Sequence, residues 1–377
     1  MKIAIATGTR ADWGLLSPLA QELSKKRNVE IYILATNMHY LPEYGFTWKE
    51  IVADGFKIAA DIPTSGTPAE ITSQTISGFD NIFKNNTFDC CIILGDRFEM
   101  LGVATAAILN KLHIVHIAGG EISEGAFDDS MRHAITKLST LHLTETEEYR
   151  NRVIQMGEEP NRVINTGAIG VHNAINVEIM PLNELEQSIN FTLSDKCLLV
   201  TLHPATLEKA SPTEQMQNLL TALDSIPEYK LLFTLPNNDE NSAPMIDLIN
   251  KYRDNNPQRM CVVPSLGRIR YLSALRYVTA VVGNSSSGLI EVPSAGIPTL
   301  NIGIRQQGRT AGKSVIHCGT SVDDIIVGLK NVTSEETRNM ARIARNPYAQ
   351  PDTLKQMCEA ILSFPFEKYQ YKRFHNL

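Results

Sequence analysis

Short apolar runs rich in β-branched residues alternate along this chain with longer stretches whose apolar positions recur every three or four residues. The first pattern predicts strands and the second amphipathic helices. Strands are predicted at Ile3–Thr7, Glu30–Ala35, Cys90–Leu94, Ile114–Ile117, Leu141–Leu143 and Val163–Asn165, most of them ending at Gly, Asn or Thr. Leu15–Leu23 and Glu147–Met156 are two of the helical stretches between them. Short apolar strands alternating with helices predict an α/β protein whose parallel sheet is covered on both faces. Ligands of such sheets bind outside the carboxyl ends of the strands.

The rhythm lapses over Val177–Asp195, which contains Pro181 and reads as a connection. It restarts with strands at Cys197–Leu202, Lys230–Leu235, Cys261–Val263, Ala280–Val282 and Thr299–Ile302. Two Rossmann-like domains facing a central cleft are therefore expected, residues 1–170 and 171–355. The amphipathic stretch Leu354–Phe364 follows Pro351, and the end of the chain, residues 356–377, is expected to pack back across the junction.

A length of 377 residues suits two domains that each bury a core. With 43% hydrophobic and 20% charged residues the composition argues against long disorder. No apolar run approaches the ~18 residues of a membrane span, and the opening MKIAIA lacks the features of a secretory signal. Basic residues number 35 against 41 acidic, with no basic run, which disfavours nucleic acid as a partner. A soluble, cytoplasmic protein is expected. Its six cysteines form no C-x-x-C pair. Adjacent Cys90 and Cys91 would face opposite sides of a strand, so buried free thiols are expected.

Polar residues gather where the strand-end rule puts a ligand. After the first strand comes Gly8-Thr9-Arg10-Ala11-Asp12-Trp13-Gly14. Glycine there lets a backbone approach an anion and Arg10 has two donors for phosphate, although a tight turn with a solvated Arg fits equally well. Gly95-Asp96-Arg97 follows another strand, as a site or as a structural ion pair. His116-Ile117-Ala118-Gly119-Gly120-Glu121 and Phe127-Asp128-Asp129-Ser130-Met131-Arg132-His133 come next. Asp96, Glu121, Asp128 and Asp129 thus collect at adjacent strand ends, and crowded carboxylates raise one another's pKa, which suits proton transfer. Asp128 also reads as the N-cap of a helix over Met131–Leu138.

The second half offers Thr201-Leu202-His203-Pro204 and Gly283-Asn284-Ser285-Ser286-Ser287-Gly288-Leu289-Ile290-Glu291. Serines opening a helix after a strand supply donors for a diphosphate, with Glu291 within reach of ribose hydroxyls. Capping explains Ser285 almost as well, but not an acid inside an apolar helix. A lone strand-end histidine is more often structural, so His203 gains weight only from its neighbours. Gly308–Ser314 ends in GKS one residue short of P-loop spacing, and no G-x-G-x-x-G follows the first strand. His113 and His116 would point to opposite strand faces. With no H-E-x-x-H and no Asp-x-Asp clamp, metal-free chemistry on a nucleotide-linked substrate is expected, without a cofactor.

Together GTRADWGLL, LGDRFE, HIAGGE, FDDSMRHAITKLS, LHLTETEEY, GNSSSGLIEVPS and NIGIRQQGR run in an order that resembles the UDP-N-acetylglucosamine 2-epimerases over nearly the whole chain. The chain is most similar to the hydrolysing subgroup that feeds sialic acid synthesis. That resemblance implies a GT-B fold, a homodimer, and a reaction without nicotinamide or metal. It implies loss of UDP from C1 with removal of the C2 proton, then hydration of the 2-acetamidoglucal to N-acetylmannosamine. Carried over by motif, Arg10, His203, Ser285, Ser286, Glu291 and Arg305 hold UDP, and Asn237 touches the nucleotide side. Asp96, Arg97, Asp128, Asp129 and Arg132 line the sugar and carry the proton chemistry. Many members have glutamate where this chain has Ala118, and Glu121 is the nearest substitute. Three other readings compete: the same reaction on a UDP-2,4-diacetamido-trideoxy sugar of legionaminic acid synthesis, a GT-B glycosyltransferase, and a non-catalytic UDP-sugar sensor. The several carboxylates disfavour the last two.

Overall fold

The computed structural model describes the chain except residues 43–44, 123–127, 206–207, 237–241, 370 and 377. Among the described residues, 1–122, 128–172 and 350–376 form one compact unit and 173–349 a second. Among them, no helix is long and apolar enough to cross a membrane.

In the first unit seven strands form one parallel sheet. They are β1 (Lys2–Thr7), β2 (Glu30–Thr36), β3 (Ile58–Ile62), β4 (Cys90–Leu94), β5 (His113–Ile117), β6 (Leu141–Thr144) and β7 (Val163–Asn165). Their spatial order is β3-β2-β1-β4-β5-β6-β7, so the winding reverses between β1 and β4. The two-residue period of a strand divides the core accordingly. Ile3 and Ile5 meet Trp13, Leu16 and Leu19 on one face, while Ala4 and Ala6 meet Phe79, Val103 and Ala107 on the other. Cys90 and Cys91 separate in the same way, and both are free. Helix Thr353–Ser363 returns to this unit, where Met357 and Ile361 join the core beside Leu16.

The second unit repeats the plan with β8 (Cys197–Thr201), β9 (Lys230–Thr234), β10 (Met260–Val263), β11 (Ala280–Gly283), β12 (Thr299–Ile302) and β13 (Val315–Cys318). The order β10-β9-β8-β11-β12-β13 again reverses, here between β8 and β11. Leu198 and Val200 face one apolar layer, and Cys197 and Leu199 the other.

Three features depart from the sequence pattern. β3 and β13 were not predicted because each lies at a sheet edge, where full burial of both faces is not needed. Each therefore lacks the continuous apolar run of a central strand, β3 carrying Asp61 and β13 carrying His317. Val177–Asp195 contains helix Leu182–Ile189, which buries only Leu185 and Ile189, too few apolar positions to show a period.

At the second reversal β8 and β11 pair in register, Gly283 opposite Thr201. Gly283 has φ +138°, and a Cβ there would collide with the Thr201 carbonyl oxygen. Only glycine permits that backbone approach and that dihedral together. Gly283→Ala should therefore cost about 3 kcal/mol and lower the calorimetric unfolding midpoint of the second unit. An unchanged transition would show that the strands part without cost.

Candidate active site

Both reversals carry the polar groups that the sequence points to. In the first unit Thr9 caps helix Arg10–Ser24 by accepting from the Asp12 N–H at 3.1 Å. Asp12 Oδ2 in turn accepts from the Gly8 N–H at 3.2 Å. Across the reversal, helix Phe98–Leu109 follows β4 and carries Glu99, whose side chain is wholly buried. Glu99 pairs with Arg97, and its Oε2 has no hydrogen-bond partner among the described residues. A Cβ on Gly8 would stand 2.7 Å from Glu99 Oε1, so the glycine makes room for this carboxylate. Arg97 also lies 3.7 Å from the Met38 sulfur.

Burial raises the Asp12 carboxyl to about 6, with Arg97 opposing and Glu99 adding to the rise. Arg97 shows the converse: burial disfavours its charge, but Glu99 and Asp12 outweigh that and raise its pKa.

Arg132 organises the neighbouring strand ends. It projects from helix Asp128–Leu138 and is 1% exposed, so its guanidinium must be paired. It forms an ion pair with Asp96, and lies 3.7 Å from the Glu121 carboxylate and 3.5 Å from Asp129. It also donates to the Glu121 carbonyl at 3.2 Å. Asp129 faces His133 at 3.4 Å. Asp128 is raised by burial and then by Asp96, with Arg97 and Arg132 opposing. Asp128 stands in the first helical turn rather than at the cap position. Ala118 takes φ +62°, and its N–H donates to Leu143 at 3.0 Å, while Glu121 is the acid of this loop that meets Arg132. Arg10 opens helix Arg10–Ser24 and is exposed, with Glu50 at 3.9 Å.

In the second unit the hub is Asn284, a residue the motif reading passed over. Its side chain accepts from the His203 N–H at 2.7 Å and donates to the His203 carbonyl at 2.9 Å, tying the ends of β8 and β11 together. Its own carbonyl accepts from Arg305 at 3.0 Å and from Gln306 at 2.9 Å. Burial, then Arg305, lowers His203 to about 3, so the imidazole is neutral at pH 7. Ser286 occupies the cap position of the short helix Ser287–Ile290 without a side-chain capping bond. Glu291 ends this helix instead of lying within it, because Pro293 follows and cannot extend it. Tyr271 reaches the Ser287 hydroxyl at 2.7 Å, its pKa raised by burial and then by Glu291. Asn237 lies outside the described residues. Among those described, no cluster of three or more His, Cys, Asp or Glu could hold a metal ion.

Two Rossmann-like units, one with clustered acids and the other with hydroxyls and a guanidinium at the reversal, define an α/β protein of the GT-B class. The family model for UDP-N-acetylglucosamine 2-epimerase matches residues 21–362. The chain is 35% identical to the GDP/UDP-N,N'-diacetylbacillosamine 2-epimerase (hydrolyzing) of Campylobacter jejuni, covering 89% of this chain and 88% of that one. It is 34% identical to the polysialic acid biosynthesis protein P7 of Escherichia coli, covering 100% and 97%. Its fold is similar to the crystal structure of UDP-GlcNAc 2-epimerase from Neisseria meningitidis bound to UDP-GlcNAc, with a TM-score of 0.83, 19% identity and coverage of 97% and 100%. The chain belongs to the UDP-N-acetylglucosamine 2-epimerase family, in its hydrolysing branch, and is an enzyme of that type.

The raised Asp12 has a measurable consequence. Its folded pKa of about 6 stands above the ordinary 3.8, so the folded state binds this proton more tightly than the unfolded state. Its contribution is most favourable below pH 3.8 and falls as pH rises toward 6. Asp12→Asn, which cannot ionise, should raise the thermal midpoint by a few degrees at pH 7, and the gain should vanish near pH 4. A lower midpoint at pH 7 would mean that the charged Asp12 stabilises the fold.

Proposed function

We propose that the chain hydrolyses UDP-N-acetylglucosamine with inversion at C2, giving N-acetylmannosamine and UDP for sialic acid synthesis. The observation that carries this reading is the buried Arg132 with Asp96, Glu121 and Asp129 around it, beside a raised Asp128. A carboxylate removes the C2 proton while the C1–O bond to UDP breaks, and the C1–C2 double bond of a 2-acetamidoglucal forms. Water then adds its oxygen to C1, and a proton returns to C2 from the opposite face, giving the manno sugar. An acid whose carboxyl burial raises, beside carboxylates paired with a guanidinium, suits these two transfers. The first unit's carboxylates take the proton chemistry, and Arg97 and Arg132 the sugar. In the second unit Ser285, Ser286, His203 and Arg305 hold the diphosphate, with Glu291 on the ribose. Arg10, exposed at the end of β1, adds a phosphate donor. UDP leaves readily once its charge is held, so positioning and electrostatics supply most of the catalysis.

A second reading, a UDP-2,4-diacetamido-2,4,6-trideoxy sugar as substrate, is favoured by the names of the Campylobacter jejuni and Legionella pneumophila relatives, 35% and 33% identical. A glycosyltransferase would need one base and an acceptor pocket, which gives no use for so many acids.

Incubation with either UDP-sugar in D2O should release UDP and a free manno-configured sugar carrying one deuterium at C2, followed by NMR. The faster substrate decides between the two readings, and retention of the C2 proton would exclude elimination. Asp96→Asn should keep UDP affinity by calorimetry and lose turnover by about 100-fold or more. Ser285→Ala should weaken UDP by about 10-fold, the loss of a hydrogen bond to a charged group.

A further inference from the structure

Helix Asp128–Leu138 carries Asp128, Asp129 and Arg132 near its start, and its last carbonyls need partners from outside. Lys372, in the segment after the C-terminal helix, supplies them. Its ammonium donates to the carbonyls of Thr136 at 3.1 Å, Lys137 at 2.6 Å and Ser139 at 2.8 Å. It also pairs with Glu158 at 2.8 Å, where its own side chain is 26% exposed and that of Glu158 is fully buried. A cation at the carbonyl end of a helix is favoured by the helix dipole as well.

Glu158 is a junction of charges. Lys137 reaches it at 2.6 Å, His142 Nε2 at 3.0 Å and Arg162 at 3.8 Å. Burial alone would raise its carboxyl, but His142, Lys372 and Lys137 outweigh that and bring it to about 2. His142 is itself lowered to about 4 by burial, so near neutral pH it gives a hydrogen bond and the cations give the charge. Three further tail residues, Tyr369, Phe374 and His375, are docked as well. The His375 N–H donates to the Gly157 carbonyl at 2.9 Å, and the Phe374 ring covers Gly157 so closely that a Cβ there would collide. Tyr369 bonds Asn161 at 3.1 Å.

The turn that Lys372 grips is wired to the acid cluster a second time. Thr136 Oγ1 lies 3.1 Å from His116 Nδ1, and His116 Nε2 lies 2.8 Å from the carbonyl of Gly95, the residue before Asp96. His116 is wholly buried and lowered to about 3, hence neutral. Its Nε2–H donates to Gly95, and Nδ1 accepts from the Thr136 hydroxyl.

We propose that Lys372 is a positioning residue for the proton-transfer groups. By filling the carbonyl end of the helix it sets where Asp128, Asp129 and Arg132 stand along the axis, and through Thr136 and His116 it fixes the loop that carries Asp96. The inference rests on the reading of the acid cluster as the site of proton transfer. A merely structural tail would add stability and leave the turnover of folded molecules unchanged.

The test is Lys372→Met in the full chain, with kcat, KM, UDP affinity by calorimetry and the thermal midpoint measured together. The expected result is a folded protein with UDP affinity within about twofold of wild type and kcat at least about tenfold lower, restored in large part by Lys372→Arg. A kcat within twofold of wild type in folded Lys372→Met overturns the proposal. Should that variant fail to fold, Lys372→Gln decides: it keeps a polar tip but removes the charge and cannot reach the three carbonyls and Glu158 together. A several-fold lower kcat at unchanged UDP affinity supports the proposal, and wild-type kcat overturns it. Asp128→Asn separates this outcome from failure of the site reading. An active Asp128→Asn enzyme refutes that reading, whereas an inactive one beside a fully active Lys372→Met refutes the role of Lys372 alone.

Discussion

The first unit depends on one buried guanidinium. Arg132 is 1% exposed and makes contact with Asp96, Glu121 and Asp129, which come from a strand end, a loop and its own helix. A buried cation without partners would cost several kcal/mol, and so would these acids without it. The demand for mutual pairing therefore fixes the approach of β4, β5 and helix Asp128–Leu138. Arginine suits the task because its planar fork serves several acceptors at once, where lysine offers a single point of charge. The second unit uses a neutral counterpart, Asn284, whose amide bonds both main-chain groups of His203 and ties β8 to β11.

Holding the acids together has an electrostatic cost that appears as displaced ionisation. Asp12 and Asp128 are raised by burial, and His116 and His203 are lowered by it. Raised carboxylates of this kind contribute less to stability at neutral pH than ordinary ones, and displaced ionisation gathered at strand ends is a feature of candidate sites. The tail works in the opposite sense. Around Glu158 the cations more than offset burial, so this end of helix Asp128–Leu138 is anchored while the other end carries the raised Asp128.

Much of this was legible in the sequence, because central strands must be apolar on both faces and so read as unbroken runs. Ile3–Thr7 and Cys90–Leu94 are such runs, and the polar residues that follow them sit at the winding reversals. Asp96, Glu121, Asp128 and Asp129 were grouped for that reason, and Arg132 came from the family resemblance. Edge strands Ile58–Ile62 and Val315–Cys318 escaped, since an edge tolerates polar positions. Asp12 and Glu99 were visible only as members of motifs. Their weight comes from burial against Gly8 and Arg97, and no spacing in the sequence records burial. Lys372 lies 233 residues or more from the carbonyls it holds, beyond the reach of any local pattern.

The central claim is that Arg132 assembles the acids for proton transfer and leaves nucleotide binding to other residues. Arg132→Lys keeps the charge and removes the fork, so measuring its turnover and UDP affinity side by side tests the claim most directly. The account predicts UDP affinity within about threefold of wild type and turnover lower by about two orders of magnitude. Wild-type turnover in Arg132→Lys, or loss of UDP binding in step with activity, would contradict it.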